Sequence, residues 1–306
     1  MIDTTLFKKF YKKIICRLPG YHFLCLILQK NRPKTWDWID RIPVKPGILV
    51  LVHSSVGDFY MSRPERCSIA KKYFWTQGFR EPPEDKMALD LFAILSKHSD
   101  VALDIGANSG LFSLVAHKSN PFAEVVAFDI LPEAYHILID NLMLNGFLGK
   151  INIQLVGVGE GGVFYAPFNN ISSDMPSSLS LDCAPTTDAQ VAVSIKSLDE
   201  ICIPRYIGKK ICIKIDVEGT EIDIFSNASE TLKMIKPNFI CEVLPGARNF
   251  ENYDKILGDY SYRKYLITDI GLKKFDRIRP DIRFKDWFFT AEDNLNIREI
   301  ILQNSI

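Results

Sequence analysis

The chain has 306 residues, of which 47% are hydrophobic and 24% charged; this is typical of a folded globular domain and excludes a disordered, collagen-like or coiled-coil chain. Its 37 basic and 37 acidic side chains balance, so no overall charge favours nucleic acid as a partner. The seven cysteines are scattered and include no C-x-x-C pair, which predicts neither a zinc site nor a disulfide scaffold and favours a reducing cytoplasm.

The first 34 residues are a separate basic segment, the basic arm. It holds eight Lys or Arg side chains against one acidic side chain, a net charge of +7, and the rest of the chain therefore carries −7. Its apolar run, 14–28, is interrupted by Arg17 and Pro19 and is shorter than the roughly 20 apolar residues of a membrane span. Tyr11, Phe23 and Leu24 with the lysines of the arm predict either a basic amphipathic helix on an anionic membrane or partner protein, or a cap helix on the core. We therefore expect a cytoplasmic protein, with peripheral membrane contact through the arm as one interpretation.

The remaining chain divides into an irregular front and a regular back. Residues 31–87 contain six prolines between short apolar runs, so residues 1–86 are predicted to be an amino-terminal extension. A helix over 87–95 then opens a regular alternation of strands and helices, which predicts one domain over 87–306.

In chain order, strands are predicted at 101–105, 124–129, 151–156, 191–195, 211–217, 239–243, 262–267 and 287–290, and helices at 111–117, 132–145, from 198, from about 220 and at 252–257. This alternation predicts an α/β fold with a Rossmann-like, mostly parallel, seven-stranded sheet and helices on both faces. Ligands of such sheets bind beyond the carboxyl ends of the strands.

A glycine turn follows the first of these strands. Gly106 and Gly110 permit a tight turn at the start of a helix, whose amino terminus offers N–H groups to a ligand. With Asn108 in the middle, the spacing is G-x-x-x-G and differs from the dinucleotide fingerprint G-x-G-x-x-G. Asp104 at the strand end would repel a phosphate but accepts a hydrogen bond from an ammonium group. The turn therefore predicts a cradle for S-adenosylmethionine.

Asp129 ends the second strand, 19 residues after Gly110, where an acidic side chain in such folds typically accepts the hydroxyl groups of a ribose. Taken singly, Asp104 is equally well a helix-capping acid and Asp129 a solvated loop acid. Their combined spacing favours the cofactor site.

Four blocks of the sequence resemble the FkbM-type family of class I S-adenosylmethionine-dependent methyltransferases. These blocks are LDIGANSGLFS at 103–113, NLMLNG at 141–146, VSIKSLDEI at 193–201 and KIDVEGTE at 214–221. The resemblance covers about 95–270.

This resemblance implies a methyltransferase in which the glycine turn, with Asn108, holds the methionine part of the cofactor. Asp104 then binds its ammonium group and Asp129 its ribose. The family usually has a Glu-Pro pair at the second strand end, whereas this chain has Asp129-Ile130, so the acid is retained with a shorter reach.

Candidate acids for handling an acceptor follow two later strands. Lys214, Asp216 and Glu218 are expected to share one face of the strand 211–217, either as a mutually neutralising group or as residues that orient the acceptor and remove its proton. Glu242, at the end of the next strand, is a second candidate base, or the partner of a helix in a salt bridge.

The family resemblance implies O-methylation of a hydroxyl group on a carbohydrate, glycolipid or secondary metabolite. A nucleotide-dependent oxidoreductase is the first alternative, which the G-x-x-x-G spacing disfavours. The second is a non-catalytic module that binds a membrane or partner. The loop 167–188, with its four serines, is predicted to be either a lid over the acceptor or a disordered insertion; the serines are Ser172, Ser173, Ser177 and Ser178.

Overall fold

A computed structural model describes residues 14–32, 39, 41–167, 190–245 and 251–292. Its helices are α1 (Tyr21–Lys30), α2 (Ser68–Trp75), α3 (Pro83–Lys97), α4 (Leu111–Ser119), α5 (Pro132–Leu144), α6 (Leu198–Tyr206), α7 (Glu221–Ser226), a π-helical turn (Thr231–Ile235) and α8 (Glu251–Asp259). Its strands are β1 (Val50–Val52), β2 (Phe59–Met61), β3 (Val101–Ile105), β4 (Glu124–Asp129), β5 (Ile151–Leu155), β6 (Gly157–Val158), β7 (Gly162–Pro167), β8 (Gln190–Lys196), β9 (Ile211–Ile215), β10 (Asn238–Glu242), β11 (Arg263–Thr268), β12 (Gly271–Phe275) and β13 (Asp286–Thr290).

The central sheet has eight strands in the order β12-β11-β13-β10-β9-β3-β4-β5. Strands β10, β9, β3, β4 and β5 are parallel, while β13 runs antiparallel to both β10 and β11. The predicted α/β fold with a mostly parallel sheet is confirmed, and the hairpin strand β12 adds an eighth strand at the edge. Strand order reverses at β3, so the carboxyl ends of β3 and β9 flank the place where such sheets bind ligands.

The sheet separates two apolar layers because side chains alternate along each strand. Leu103 of β3 and Ile213 of β9 belong to one buried cluster. Ala102 of β3 belongs to the other, together with Leu114 of α4. Both central strands are buried along their whole length, which explains their almost uninterrupted apolar sequences.

The amino-terminal residues pack on the same core as the sheet. Strands β1 and β2 form an antiparallel hairpin, and Val50, Met61 and Trp75 share one buried cluster with Leu114. Helix α3 begins at Pro83, so it starts before the proposed boundary between residues 86 and 87. That division remains a prediction.

Two further predictions have structural outcomes. The predicted strand 191–195 is β8, but it pairs with β6 and β7 in a separate three-stranded sheet. Among the described helices, none is long and apolar enough to cross a membrane.

Candidate active site

A cavity of about 570 Å³ lies at the carboxyl ends of β3, β4, β9 and β10. Its volume is within the range of small-molecule sites, roughly 300–1,000 Å³. Its walls contain seven of the eight candidate residues identified in the sequence: Asp104, Gly106, Asn108, Asp129, Asp216, Glu218 and Glu242.

Gly106 permits the loop after β3 to pack directly against the end of β9. Its φ is +78°, and a Cβ at this position would lie 1.8 Å from the backbone oxygen of Asp216. Its N–H donates to the carbonyl of Phe128 at 3.0 Å, which ties the same loop to β4. The turn therefore accepts only glycine without a shift of backbone.

Gly110, the eighth candidate, is not among the residues that line the cavity. It has a φ of +84°, precedes α4, and a Cβ there would lie 2.2 Å from Cδ1 of Leu138. The glycine thus permits close packing of α4 on α5, and it affects the cavity through the position of the helix.

Asp104 both caps a helix and lines the cavity. Its Oδ2 accepts hydrogen bonds from the backbone N–H and the hydroxyl of Ser113, at 2.9 and 2.6 Å. Because Gly110 has no side chain, this carboxylate supplies the cap that the first turn of α4 needs. Burial raises the pKa of Asp104 to about 6, against the opposing effects of Ser113 and of Lys214.

Asp129 is a buried carboxylate and not a solvated loop acid. It is 7% exposed, its Oδ2 accepts from the N–H of Asn108 at 2.7 Å, and its Oδ1 accepts from the N–H of Leu131 at 2.8 Å. Burial raises its pKa to about 6, against these backbone hydrogen bonds. Each oxygen keeps a second lone pair, so the carboxylate remains able to accept a hydroxyl group.

Asn108 has a buried side-chain oxygen for which the described residues provide no hydrogen-bond partner. Its backbone is left-handed, with φ of 52°, and its N–H is held by Asp129. A buried acceptor without a partner is costly, so its position on the cavity wall fits a ligand that donates a hydrogen bond.

A buried lysine, Lys214, lies between two acidic side chains, Asp216 and Asp286. Lys214 is 2% exposed, and its Nζ lies 3.5 Å from Asp216 Oδ2, 3.2 Å from Asp286 Oδ1 and 5.3 Å from the ring centre of Phe112. Burial lowers the pKa of Lys214, but the carboxylates of Asp216 and Asp286 outweigh it and hold that pKa above its ordinary value. The neutralising lysine predicted from the sequence is therefore present, with Asp286 as its second partner.

The predicted face shared by Lys214, Asp216 and Glu218 is wrong in one respect. Strand β9 ends at Ile215, and Glu218 has a left-handed backbone with φ of 59°, so the alternation of a strand does not reach it. Burial and the charge of Asp216 raise the pKa of Glu218 above its ordinary value.

Glu242 ends β10 directly beside Asp286 of the antiparallel strand β13. Burial and the charge of Asp216 raise the pKa of Glu242 to about 8; Lys214 lowers it and Asp286 raises it further. Such a carboxyl group exchanges its proton near neutral pH, as an efficient general base does.

Two supporting roles were not predicted from the sequence: that of Glu221 and that of the paired asparagines, Asn141 and Asn145. The carboxylate of Glu221, 1% exposed, accepts hydrogen bonds from the N–H groups of Val217 and Gly219 and thereby fixes the turn that carries Glu218. This explains the last glutamate of the KIDVEGTE block. In the sequence, the close spacing of the three acidic residues 216, 218 and 221 was the feature that could have indicated this role.

The paired asparagines of the NLMLNG block join the amino-terminal residues to the glycine turn. Asn141 is fully buried; its Oδ1 accepts from the N–H and hydroxyl of Ser62, at 2.7 and 2.8 Å, and its Nδ2 donates to the carbonyl of Ser109 at 2.8 Å. Asn145 exchanges two hydrogen bonds with the backbone of Tyr60. Because the two asparagines are four residues apart, both amides lie on one face of the helix, and this spacing was the feature of the sequence that could have indicated a shared role.

The amino-terminal residues also form one wall of the cavity. The lining includes Ser68, Ile69 and Lys72 of α2 and Arg80 of the following loop. The serines of the loop 167–188 lie outside the described residues.

Comparison with known proteins relates the chain to one family. The family model described as the methyltransferase FkbM domain matches residues 104–282, more than half of the chain. The 31-O-demethyl-FK506 methyltransferase FkbM of Streptomyces tacrolimicus is 26% identical over 157 residues, covering 43% of this chain and 60% of that protein. Methyltransferase sdnD of Sordaria araneosa is 26% identical over 167 residues, covering 46% and 64%. These matches span less than two thirds of either relative. The crystal structure of methyltransferase FkbM from Methylobacillus flagellatus KT aligns with a TM-score of 0.41 at 17% identity, over 62% of this chain and 43% of that one.

Proposed function

Because the chain belongs to the FkbM methyltransferase family, we propose that it transfers a methyl group from S-adenosylmethionine to a hydroxyl oxygen of a small-molecule or glycan acceptor. The observation that carries this proposal is the cavity itself, where a glycine turn, two carboxylates at neighbouring strand ends and a buried lysine–carboxylate group meet.

The residues of the first half of the cavity fit the cofactor. The turn at Gly106 lines the cavity and is packed directly against the end of β9, and the orphaned oxygen of Asn108 can accept a hydrogen bond from a ligand there. The proposal assigns the methionine portion to this turn, its ammonium group to Asp104 and the ribose hydroxyl groups to Asp129. With pKa values of about 6, both carboxyl groups are mainly ionised at neutral pH and attract a cation.

When bound, S-adenosylmethionine supplies an electrophilic methyl group on a positively charged sulfur. Transfer of that methyl group to the acceptor oxygen would give a methyl ether and S-adenosylhomocysteine, with the hydroxyl proton passing to a base of the protein. The protein aligns the two reactants in the cavity and receives the proton of the hydroxyl group.

We assign Glu242 as the general base that receives the proton of the acceptor hydroxyl group. Asp216 and Asp286 already form ion pairs with Lys214, whose Nζ lies 3.5 and 3.2 Å from their carboxylate oxygens. Glu242 has its pKa near 8 and lines the same cavity, so it releases and accepts a proton near neutral pH. Asp216 and Glu218 then orient the acceptor from the end of β9.

For the acceptor, the proposal names a hydroxyl group on a carbohydrate, glycolipid or secondary metabolite. The support is the family, two of whose members carry methyltransferase names, one of them directed at the metabolite 31-O-demethyl-FK506. The lining of the cavity includes the charged side chains of Lys72, Arg80 and Lys285, which suits a polar acceptor better than a hydrocarbon.

The proposal is tested by incubating the purified chain with S-adenosylmethionine and a panel of monosaccharides, oligosaccharides and glycolipids. We expect S-adenosylhomocysteine and a methyl ether to accumulate in equal amounts with one acceptor class, and Glu242→Gln to abolish both products while retaining cofactor binding. Methylation on nitrogen or carbon would refute the hydroxyl assignment, and undiminished activity of Glu242→Gln would refute the base.

A further inference from the structure

Helix α1 presents an apolar face outward, the reverse of an ordinary surface helix. Phe23, Leu24, Leu26 and Ile27 are 68%, 50%, 40% and 43% exposed. At 3.6 residues per turn these four side chains lie on one face of the helix, with exposed Lys30 beside them. A helix on a soluble surface normally buries its apolar stripe, so this face is suited to contact with another apolar phase.

The opposite face of α1 is held to the protein by defined contacts. Cys25 is buried, the hydroxyl of Tyr21 donates to the carbonyl of Pro43 at 2.8 Å, and the amide of Gln29 donates to the carbonyl of Phe74. The polar side chains of Tyr21 and Gln29 therefore face the protein. Rotation of the helix to bury its apolar face would break these contacts.

The charge around α1 matches an anionic surface. Residues 4–36 contain eight Lys or Arg side chains and no Asp or Glu. Of these, Arg17 before the helix and Lys30 at its end are exposed. The exposed apolar side chains continue before the helix with Ile14 and Leu18. Apolar groups bordered by basic groups are the pattern of helices that lie in the headgroup region of anionic bilayers.

Length and charge together distinguish a bilayer from other occupants. Ten helical residues extend about 15 Å, half the thickness of a bilayer core, so α1 is too short to span a membrane and suits binding in the plane of its interface. A second copy of the chain on this face would bring the exposed Arg17 and Lys30 of the two copies together, and repulsion between these like charges opposes self-association.

We propose that α1 is a docking surface for an anionic lipid bilayer, with Phe23, Leu24, Leu26 and Ile27 inserted between the lipids and with Arg17 and Lys30 against the headgroups. Docking here brings the cavity close to the membrane, because α1 contacts α2 at Phe74 and α2 lines the cavity. The inference does not depend on the reaction catalysed.

The test is co-sedimentation of the full chain with vesicles of phosphatidylcholine alone or mixed with phosphatidylglycerol. We expect binding to the mixed vesicles and weak binding to the neutral ones. The double variant Phe23→Asp/Ile27→Asp is expected to weaken binding by about tenfold or more, and Arg17→Glu/Lys30→Glu to weaken it mainly at low salt. Phe122→Asp makes the same chemical change on a side chain that is 98% exposed near the amino end of β4 and is expected to leave binding unchanged.

Three results would overturn the proposal. The first is equal binding by wild type and the Phe23→Asp/Ile27→Asp variant. The second is no sedimentation with either vesicle by a folded wild-type protein. The third is a wild-type dimer in light scattering that this double variant converts to a monomer. Calorimetric binding of S-adenosylmethionine by each variant is measured in parallel, so that loss of lipid binding is separated from failure of the proposed function.

Discussion

Replacement of Asn141 by alanine tests whether the amino-terminal residues support the glycine turn. The substitution removes three hydrogen bonds: two from Ser62 and one to the buried carbonyl of Ser109. A buried polar group that loses its partner costs about 1–3 kcal/mol, and the two bonds at the part-buried Ser62 contribute about 1 kcal/mol in addition. We expect the free energy of unfolding to fall by about 2–4 kcal/mol. The matched variant Asn145→Ala breaks two exposed bonds to Tyr60 and one part-buried bond to the carbonyl of Asn141, with an expected loss of about 1–2 kcal/mol.

The distinguishing assay is calorimetric titration with S-adenosylmethionine at a temperature at which both variants are folded. Since only Asn141 contacts the turn at Ser109, we expect its replacement to weaken cofactor binding by about tenfold, equivalent to about 1.4 kcal/mol. Asn145→Ala should bind as wild type does. Asn141→Asp still accepts from Ser62 but places a buried carboxylate oxygen against the carbonyl of Ser109, so it should weaken binding and lose at least as much stability as alanine does. Equal affinities for wild type and Asn141→Ala would refute a supporting role for this amide.

Three further predictions concern the cavity. Gly106→Ala places a Cβ 1.8 Å from a backbone oxygen, so we expect loss of cofactor binding or of folding, measured by titration and thermal unfolding, whereas Gly161→Ala, where no atom lies within 4 Å, should lose only about 1 kcal/mol. The raised pKa of Glu242 means that the folded chain binds this proton more tightly than the unfolded chain does, so the free energy of unfolding should fall as pH rises from about 5 through 8. In denaturant titrations, Glu242→Gln should flatten that dependence. A wild-type stability that rises from pH 6.5 to 8 would contradict the assignment. Asp286→Asn removes a negative neighbour of Glu242, so the midpoint of the pH–rate profile should move below its wild-type value, and an upward movement would count against the pair.

Local sequence patterns predicted the central fold well. Strands β3 and β4 have the predicted bounds, 101–105 and 124–129, because buried parallel strands are continuous apolar runs with sharp ends. Helix α5 also begins at its predicted Pro132, whose fixed φ suits a first turn. These elements carry the glycine turn and Asp129, which is why the first half of the cavity was readable.

The second half of the cavity depends on pairings between distant residues. Asp286 reaches Lys214 only because β13 inserts between β10 and β11, and no local period indicates that insertion. The amino-terminal wall had no periodicity to read, and its attachment through Asn141 joins residues 79 apart in the sequence. For Asp104 the sequence left open whether the side chain caps a helix or lines the cofactor site, and the structure shows that it does both.

The central claim is that the cavity binds S-adenosylmethionine, and calorimetric titration of the full chain tests it most directly. We expect micromolar binding of S-adenosylmethionine and S-adenosylhomocysteine and no heat with NAD. Asp129→Asn, in which one backbone N–H loses its acceptor, should weaken binding by about tenfold or more, while the same change at exposed Asp58, outside the cavity, should have no effect. No heat from either ligand with a folded protein, or tight binding of NAD, would contradict the claim.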